Sequence, residues 1–272
     1  MSVDCSKVKI LQIELLKIYE VVRTIFDRHQ IRYYASGGTA IGAMRHRGFI
    51  PWDDDLDLEV PRDDYERLPD ILKDELPDGF VYLSHANCLS YHHLFSKVVC
   101  SDESYVRQIE AKTGFNLGEG LFIDLFPSDY FPRSKFSQVV RLSRRAWSKI
   151  LQKTVAAICG RSTPLFHKTL LMDERAISSC PSDRAGKEYF STWFIDDWRM
   201  FCGKINVDKA DYGEPRLVPF EQTTIPVMAN VENYLTQQFG AWQIPPPENC
   251  RNLSHGQAGN QPWRFGPTKG AL

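Results

Sequence analysis

The sequence predicts an α+β, α/β-type fold: a mixed sheet flanked by helices, followed by a mostly helical C-terminal half. Three observations carry this. Up to about residue 130, helix-period stretches alternate with short apolar runs, the pattern of helices and strands around one sheet. The run Leu121-Phe122-Ile123-Asp124-Leu125-Phe126 is nearly continuously apolar, as a central strand buried on both faces must be. From Ser134 onward the texture changes to long helical stretches.

Taken in order, residues 4–29 predict an amphipathic helix, with Asp4 or Ser6 near its cap and a break at His29-Gln30. Ile31 to Ala35 predicts a short strand, Gly37-Gly38 a turn, and Thr39 to His46 a short helix. Arg47 to Trp52 is a loop, and Asp55 to Val60 an acidic strand. Pro61 opens a helix through about Lys73. Strands are expected at Phe80–Ser84, His93–Cys100 and Gly120–Phe126. Helices are expected over 134–160, 162–180 and Ala229–Phe239, with an aromatic-rich segment over 186–212. These divide the chain into a sheet-bearing core (1–132), a helical and aromatic-rich extension packing on it (133–255), and a flexible tail (256–272) rich in Gly and Pro.

Composition narrows the function classes. A net charge of −1 removes the global field that nucleic acid would require, so no nucleic-acid partner is expected. The seven cysteines form no C-x-x-C pair, which points to reduced thiols and a cytoplasmic protein rather than a zinc site or disulfide framework. The N-terminus interleaves Glu14, Lys17, Glu20 and Arg23 with apolar residues; it reads as an amphipathic helix and not as a signal peptide.

The chemistry concentrates in two places. Gly37-Gly38-Thr39 feeds a helix, and the run Asp53-Asp54-Asp55-Leu56-Asp57 follows. On a strand, Asp55 and Asp57 would share a face, roughly 6–7 Å apart, with Leu56 and Leu58 turned to the core. A hard cation relieves the repulsion between such acids. On that reading Asp54 points to the wrong face and Asp53 marks the rim. Asp124, an acid within a buried strand, requires a partner or a metal and is the natural third carboxylate or a general base.

Basic residues complete the candidate set. Arg45 and Arg47 suit phosphate contact, although Arg45 and His46 also fall where a helix dipole favours cations. Lys97 lies in a strand-like apolar run expected beside the acidic strand. His92-His93 reads as structural. Residues 133–168 carry nine Lys and Arg with no acid between Asp129 and Asp173. Such a segment suits an anionic membrane surface, an ordinary exposed helix, or attraction of a phosphorylated substrate.

Together the run from Gly37 to Asp57 and the run Phe122-Ile123-Asp124-Leu125-Phe126-Pro127-Ser128-Asp129 resemble the LicD family of the nucleotidyltransferase-fold superfamily. Ile225-Pro226, Tyr234-Leu235, Phe239-Gly240 and Pro245-Pro246 add to it. Ser128 and the stretch Gln238 to Trp242 depart from the family pattern.

The resemblance implies a nucleotidyltransferase-like sheet, a catalytic core over 1–132 with an acceptor site completed by 133–255, and a phosphotransferase activity. It would move a phosphocholine-like substituent from a CDP-linked donor to a sugar hydroxyl of a cell-surface glycan, lipid-linked or free, releasing CMP. It implies Asp55, Asp57 and Asp124 as metal ligands for Mg²⁺, with Mn²⁺ as the alternative. Gly37, Gly38 and Thr39 would lie on the donor phosphates, with Lys97 in a similar family position. Two other readings stand beside it: attachment of NMP to a small molecule or protein, and a non-catalytic binding protein on the same fold.

Overall fold

In a computed structural model, residues 4–118, 120–132, 134–178, 188–191 and 209–248 are described. The chain opens with helix α1 (Cys5–Arg28), capped by the Asp4 side chain, which accepts from the Ser6 amide at 3.1 Å. The buried stripe of α1, including Leu11, Leu15, Ile18, Val22 and Phe26, recurs at helical spacing and lies in the main core.

Strand β1 (Tyr34–Ala35) leads directly into α2 (Gly37–His46). After a loop come β2 (Asp57–Pro61) and two short helices, α3 (Arg62–Tyr65) and α4 (Leu68–Glu75). Next are β3 (Phe80–Leu83), β4 (Ser96–Cys100), α5 (Glu103–Thr113) and the ten-residue strand β5 (Phe122–Phe131). Helices α6 (Lys135–Cys159) and α7 (Pro164–Ser178) pack on each other. Strand β6 (Glu188–Ser191), a short α8 (Lys209–Tyr212), the hairpin β7 (Arg216–Phe220) and β8 (Thr223–Val227), and α9 (Val231–Phe239) follow.

The sheet is mixed, with order β1-β2-β5-β4-β3 and β6 added on β5. Strands β2 and β5 run parallel; the other pairs are antiparallel. The long β5 serves two sets of neighbours. Its first half pairs with β4 and β2, and its last residues, 128–131, pair with β6. Central placement explains why its first half, to Phe126, reads as a nearly continuous apolar run.

Several expectations shift. The glycine pair is the first turn of α2 rather than a turn before it, with Gly37 at φ +53° and Ser36 as the cap residue. The acidic strand begins at Asp57, so Asp53 to Leu56 form a loop. The single helix after Pro61 is two, separated near Glu66-Arg67. Neither β6 nor the β7–β8 hairpin was expected in the helical half. Tyr212, Phe220, Ile225, Met228, Tyr234 and Leu235 join the same core as the first 132 residues. The aromatics Trp193, Phe194, Trp198 and Phe201 and the tail 256–272 lie outside the described residues.

Among the described residues, no helix is long and apolar enough to cross a membrane. Cys5, Cys88, Cys100 and Cys159 are free thiols.

Candidate active site

Parallel pairing of β2 and β5 places Asp57 directly opposite Asp124, and antiparallel pairing of β4 and β5 places Lys97 opposite Asp124. Directly opposed residues share a sheet face, so Asp57, Asp124 and Lys97 form one row across three strands. The Lys97 Nζ lies 2.8 Å from Asp124 Oδ1 and 3.3 Å from the centre of the Phe122 ring. Lys97 is only 2% exposed. An ammonium buried this deeply needs such a carboxylate and ring face to offset lost hydration.

Helix α2 delivers the second wall. The Ser36 amide donates to the Asp57 carbonyl at 3.1 Å, and the Asp57 amide donates to Thr39 Oγ1 at 2.9 Å. Thr39 therefore fixes the acidic strand against the start of α2. The start of α2 presents first-turn amides of the kind that bind phosphate oxygens; the one at Gly37 lies against the buried Tyr234 hydroxyl.

The loop from Asp53 to Leu56 provides the remaining carboxylates. Gln12, on α1, donates through Nε2 to the carbonyls of Ile50 and Asp53, each at 2.9 Å. At the outer edge, Glu221 in the β7–β8 turn accepts from the Phe49 amide at 3.1 Å and pairs with Lys9 at 2.6 Å. Gly48 makes room for it: a Cβ there would lie 2.4 Å from Glu221 Oε1.

One carboxylate oxygen from each of Asp53, Asp54 and Asp55 lies within 4.8 Å of the other two. Asp53 is half-buried, as a residue on the rim would be, but its Oδ2 is buried and packs against Gly38. Asp54 was expected to point to the wrong face; it is buried, and its carboxylate gathers with the other two. Side-chain alternation counted from Asp55 fails because these residues precede the strand, and the loop folds its acids together.

Electrostatics tie the loop to the strands. Burial, then the charges of Asp55, Asp124 and Asp53, push the Asp57 carboxyl well above the usual range, with Lys97 opposing. Burial, then Asp55 and Asp54, do the same to Asp53, with Arg45 opposing. Hard oxygen donors, mutual repulsion and an orphaned buried oxygen on Asp53 form a set that fits a divalent cation.

Not every expected residue comes in. Arg45 and Arg47 lie at the far end of α2, about 12 Å of helix rise from Gly37. Arg45 donates to the Trp242 carbonyl at 2.6 Å and to His46 Nε2 at 2.9 Å. Arg47 is exposed, with φ +56°, and its carbonyl accepts from the Glu221 amide. The charge of Arg45 nevertheless acts on the acids, opposing the upward push on Asp53.

One acid was missed. Glu59, two residues beyond Asp57 on the same face of β2, is fully buried and accepts from the Tyr212 hydroxyl at 3.1 Å. Its signal was available, since a third acid at the same period continues the Asp55, Asp57 series.

With this geometry in place, residues 30–155 match the family described as LicD/FKTN/FKRP, nucleotidyltransferase domain. The chain carries a LicD-family domain. It includes α2, the acidic loop, β2, β4 and β5, and so every acid of the cluster. Gln12 of α1 and Glu221 of the hairpin support the domain from outside the matched span.

Among curated relatives, the "Lipopolysaccharide cholinephosphotransferase LicD" of Haemophilus influenzae is 24% identical over 263 residues, which is 90% of this chain and 94% of that protein. An uncharacterized protein of Rickettsia prowazekii is 28% identical over 131 residues, 46% of each chain. An uncharacterized protein of Rickettsia typhi is 32% identical over 70 residues, 25% of this chain and 23% of that protein.

Proposed function

We propose that this protein is a phosphotransferase that moves a phosphocholine-like group from a CDP-linked donor to a sugar hydroxyl of a glycan, with release of CMP. The observation that carries the reading is the row of Asp57, Asp124 and Lys97 across three strands, closed by the loop acids and the start of α2. Similarity to the cholinephosphotransferase over most of both chains supports phosphocholine and a glycan acceptor.

In the proposed reaction the acceptor oxygen attacks the phosphorus bearing the head group. The new O–P bond forms as the bond to CMP breaks, and the hydroxyl proton passes to a carboxylate of the cluster. Asp53, Asp55, Asp57 and Asp124 are the residues that would hold Mg²⁺. The ion would supply charge neutralisation to the diphosphate. The start of α2 at Gly37 and Gly38 would lie on the phosphate oxygens, while Thr39 and Gln12 keep the acids in position. Lys97 adds a fixed positive charge beside Asp124.

The test is product analysis with CDP-choline, CDP-glycerol and CDP-ribitol in the presence of Mg²⁺ and a glycan acceptor. Release of CMP with the head group on the acceptor supports the proposal. Release of the head-group phosphate with CMP on the acceptor would instead make the protein a nucleotidyltransferase, a reading that the description of the matched family favours. No turnover and no Mg²⁺ binding by calorimetry would leave a binding protein.

A further inference from the structure

Helix α6 is built inside out. A helix on a globular protein ordinarily buries its apolar stripe, yet the buried residues of α6 are Gln138, Arg141 and Ser148. They hold the helix by polar contacts. Gln138 Nε2 donates to the Pro132 carbonyl at 2.6 Å, and Arg141 Nη1 donates to the carbonyls of Ile177 at 2.6 Å and Tyr130 at 3.1 Å.

The large apolar residues face the other way. Phe136, Val139, Trp147, Ile150 and Ile158 are exposed, with Phe136 at 78% and Ile158 at 77%. At about 100° per residue, all five fall within an arc of roughly 100° on the side opposite Gln138, Arg141 and Ser148. Neighbouring α7 adds exposed Leu165 and Met172.

Charge decides what this stripe meets. Lys135, Lys149 and Lys153 flank it on one side and Arg144 on the other, all exposed. No Asp or Glu occurs between Asp129 and Asp173. An apolar stripe carrying Trp and Phe, bordered by long cationic side chains, matches the interface of an anionic bilayer. The rings enter the acyl boundary, and the lysine stems reach back to the headgroups.

We propose that α6 lies flat on an anionic lipid surface and docks the protein there. The inference is independent of the proposed phosphotransfer, because vesicle binding needs neither nucleotide nor acceptor.

The experiment is flotation of the full chain with vesicles of phosphatidylcholine alone and of phosphatidylcholine mixed with phosphatidylglycerol, at low and high salt. Two variants are compared: Trp147→Glu with Ile150→Glu, and Lys149→Glu with Lys153→Glu. All four side chains are exposed, and thermal melting by circular dichroism checks that both variants fold. The expected result is binding to the anionic vesicles at least tenfold tighter than to the neutral ones, weakened by salt. Each variant should lose at least tenfold in binding at unchanged melting temperature. The proposal is overturned if the wild type fails to float at low salt, if it binds both vesicle types equally, or if the Glu variants bind as well as the wild type. It is equally overturned if light scattering finds a wild-type dimer that Trp147→Glu with Ile150→Glu splits, which would make a second copy the occupant.

Discussion

The Asp53 carboxylate occupies the space that a side chain on Gly38 would fill: a Cβ there would come within 2.6 Å of Asp53 Oδ2. A helix glycine ordinarily costs about 1 kcal/mol against alanine, so its presence in the first turn of α2 reflects this close approach. Gly38→Ala is expected to displace Asp53, lowering turnover at least tenfold while the thermal midpoint moves little. Wild-type turnover in a folded Gly38→Ala protein would show that the position of Asp53 does not matter.

Asp57 sits among three other carboxylates, and burial and repulsion push its proton affinity up. Asp57→Asn should therefore stabilise the chelator-treated protein, by about 2–4 °C if the relief is near 1 kcal/mol, while abolishing turnover. A drop in the midpoint measured in EDTA would contradict the repulsion argument. The sign follows from linkage. A carboxyl held above its ordinary value contributes stability that is full below that ordinary value and is lost as pH rises through the raised one. Neutral asparagine removes that loss.

Away from the acids, Arg62 donates from Nε and Nη2 to the two Asp129 oxygens at 2.8 and 2.9 Å, and from Nη1 to Glu174 at 3.1 Å. This buried pair ties α3 to β5, and Glu174 ties both to α7. Arg62→Met should cost about 3–5 kcal/mol in urea unfolding, because it strands a buried carboxylate. Adding Asp129→Leu should restore most of the loss. If the double variant is as unstable as the single one, the pair is not the cause.

Glu174 also receives a bond from His85 Nε2 at 3.1 Å. Burial acts to raise its carboxyl, but the His85 bond and the charges of His85 and Arg62 outweigh it and hold it below the ordinary 4.5. A depressed carboxyl contributes stability above its ordinary value and loses it as pH falls through the depressed one. Glu174→Gln should thus be less stable than wild type at neutral pH, by about 1–3 kcal/mol. The gap should close in strong acid; a gap of constant size down the whole titration would rule out this assignment.

How much of this was legible varies by element. The first half of β5, to Phe126, announced itself because burial on both faces removes polar alternation, leaving Asp124 conspicuous; its continuation through Pro127-Ser128-Asp129 to Phe131 was not expected. The β7–β8 hairpin did not, since Pro219 and Pro226 interrupt its strands and its turn uses Glu221-Gln222, with Glu221 at φ +53° instead of a glycine or asparagine. Gly37 misled for a related reason: at φ +53° it signals a turn, yet it begins a helix. Asp54 was misplaced because alternation carries information only within a strand. Gln12 was not singled out, because its partners lie 38 and 41 residues away, a pairing that no local pattern encodes.

Gln12 carries a consequence for how this protein can be cut. The matched family span begins at residue 30, yet the strut that braces the acidic loop comes from α1, upstream of it. A fragment trimmed to residues 30–155 would keep every carboxylate and lose the beam that aims them, together with β6, the hairpin and α9. The segment that identifies the family is smaller than the segment that folds.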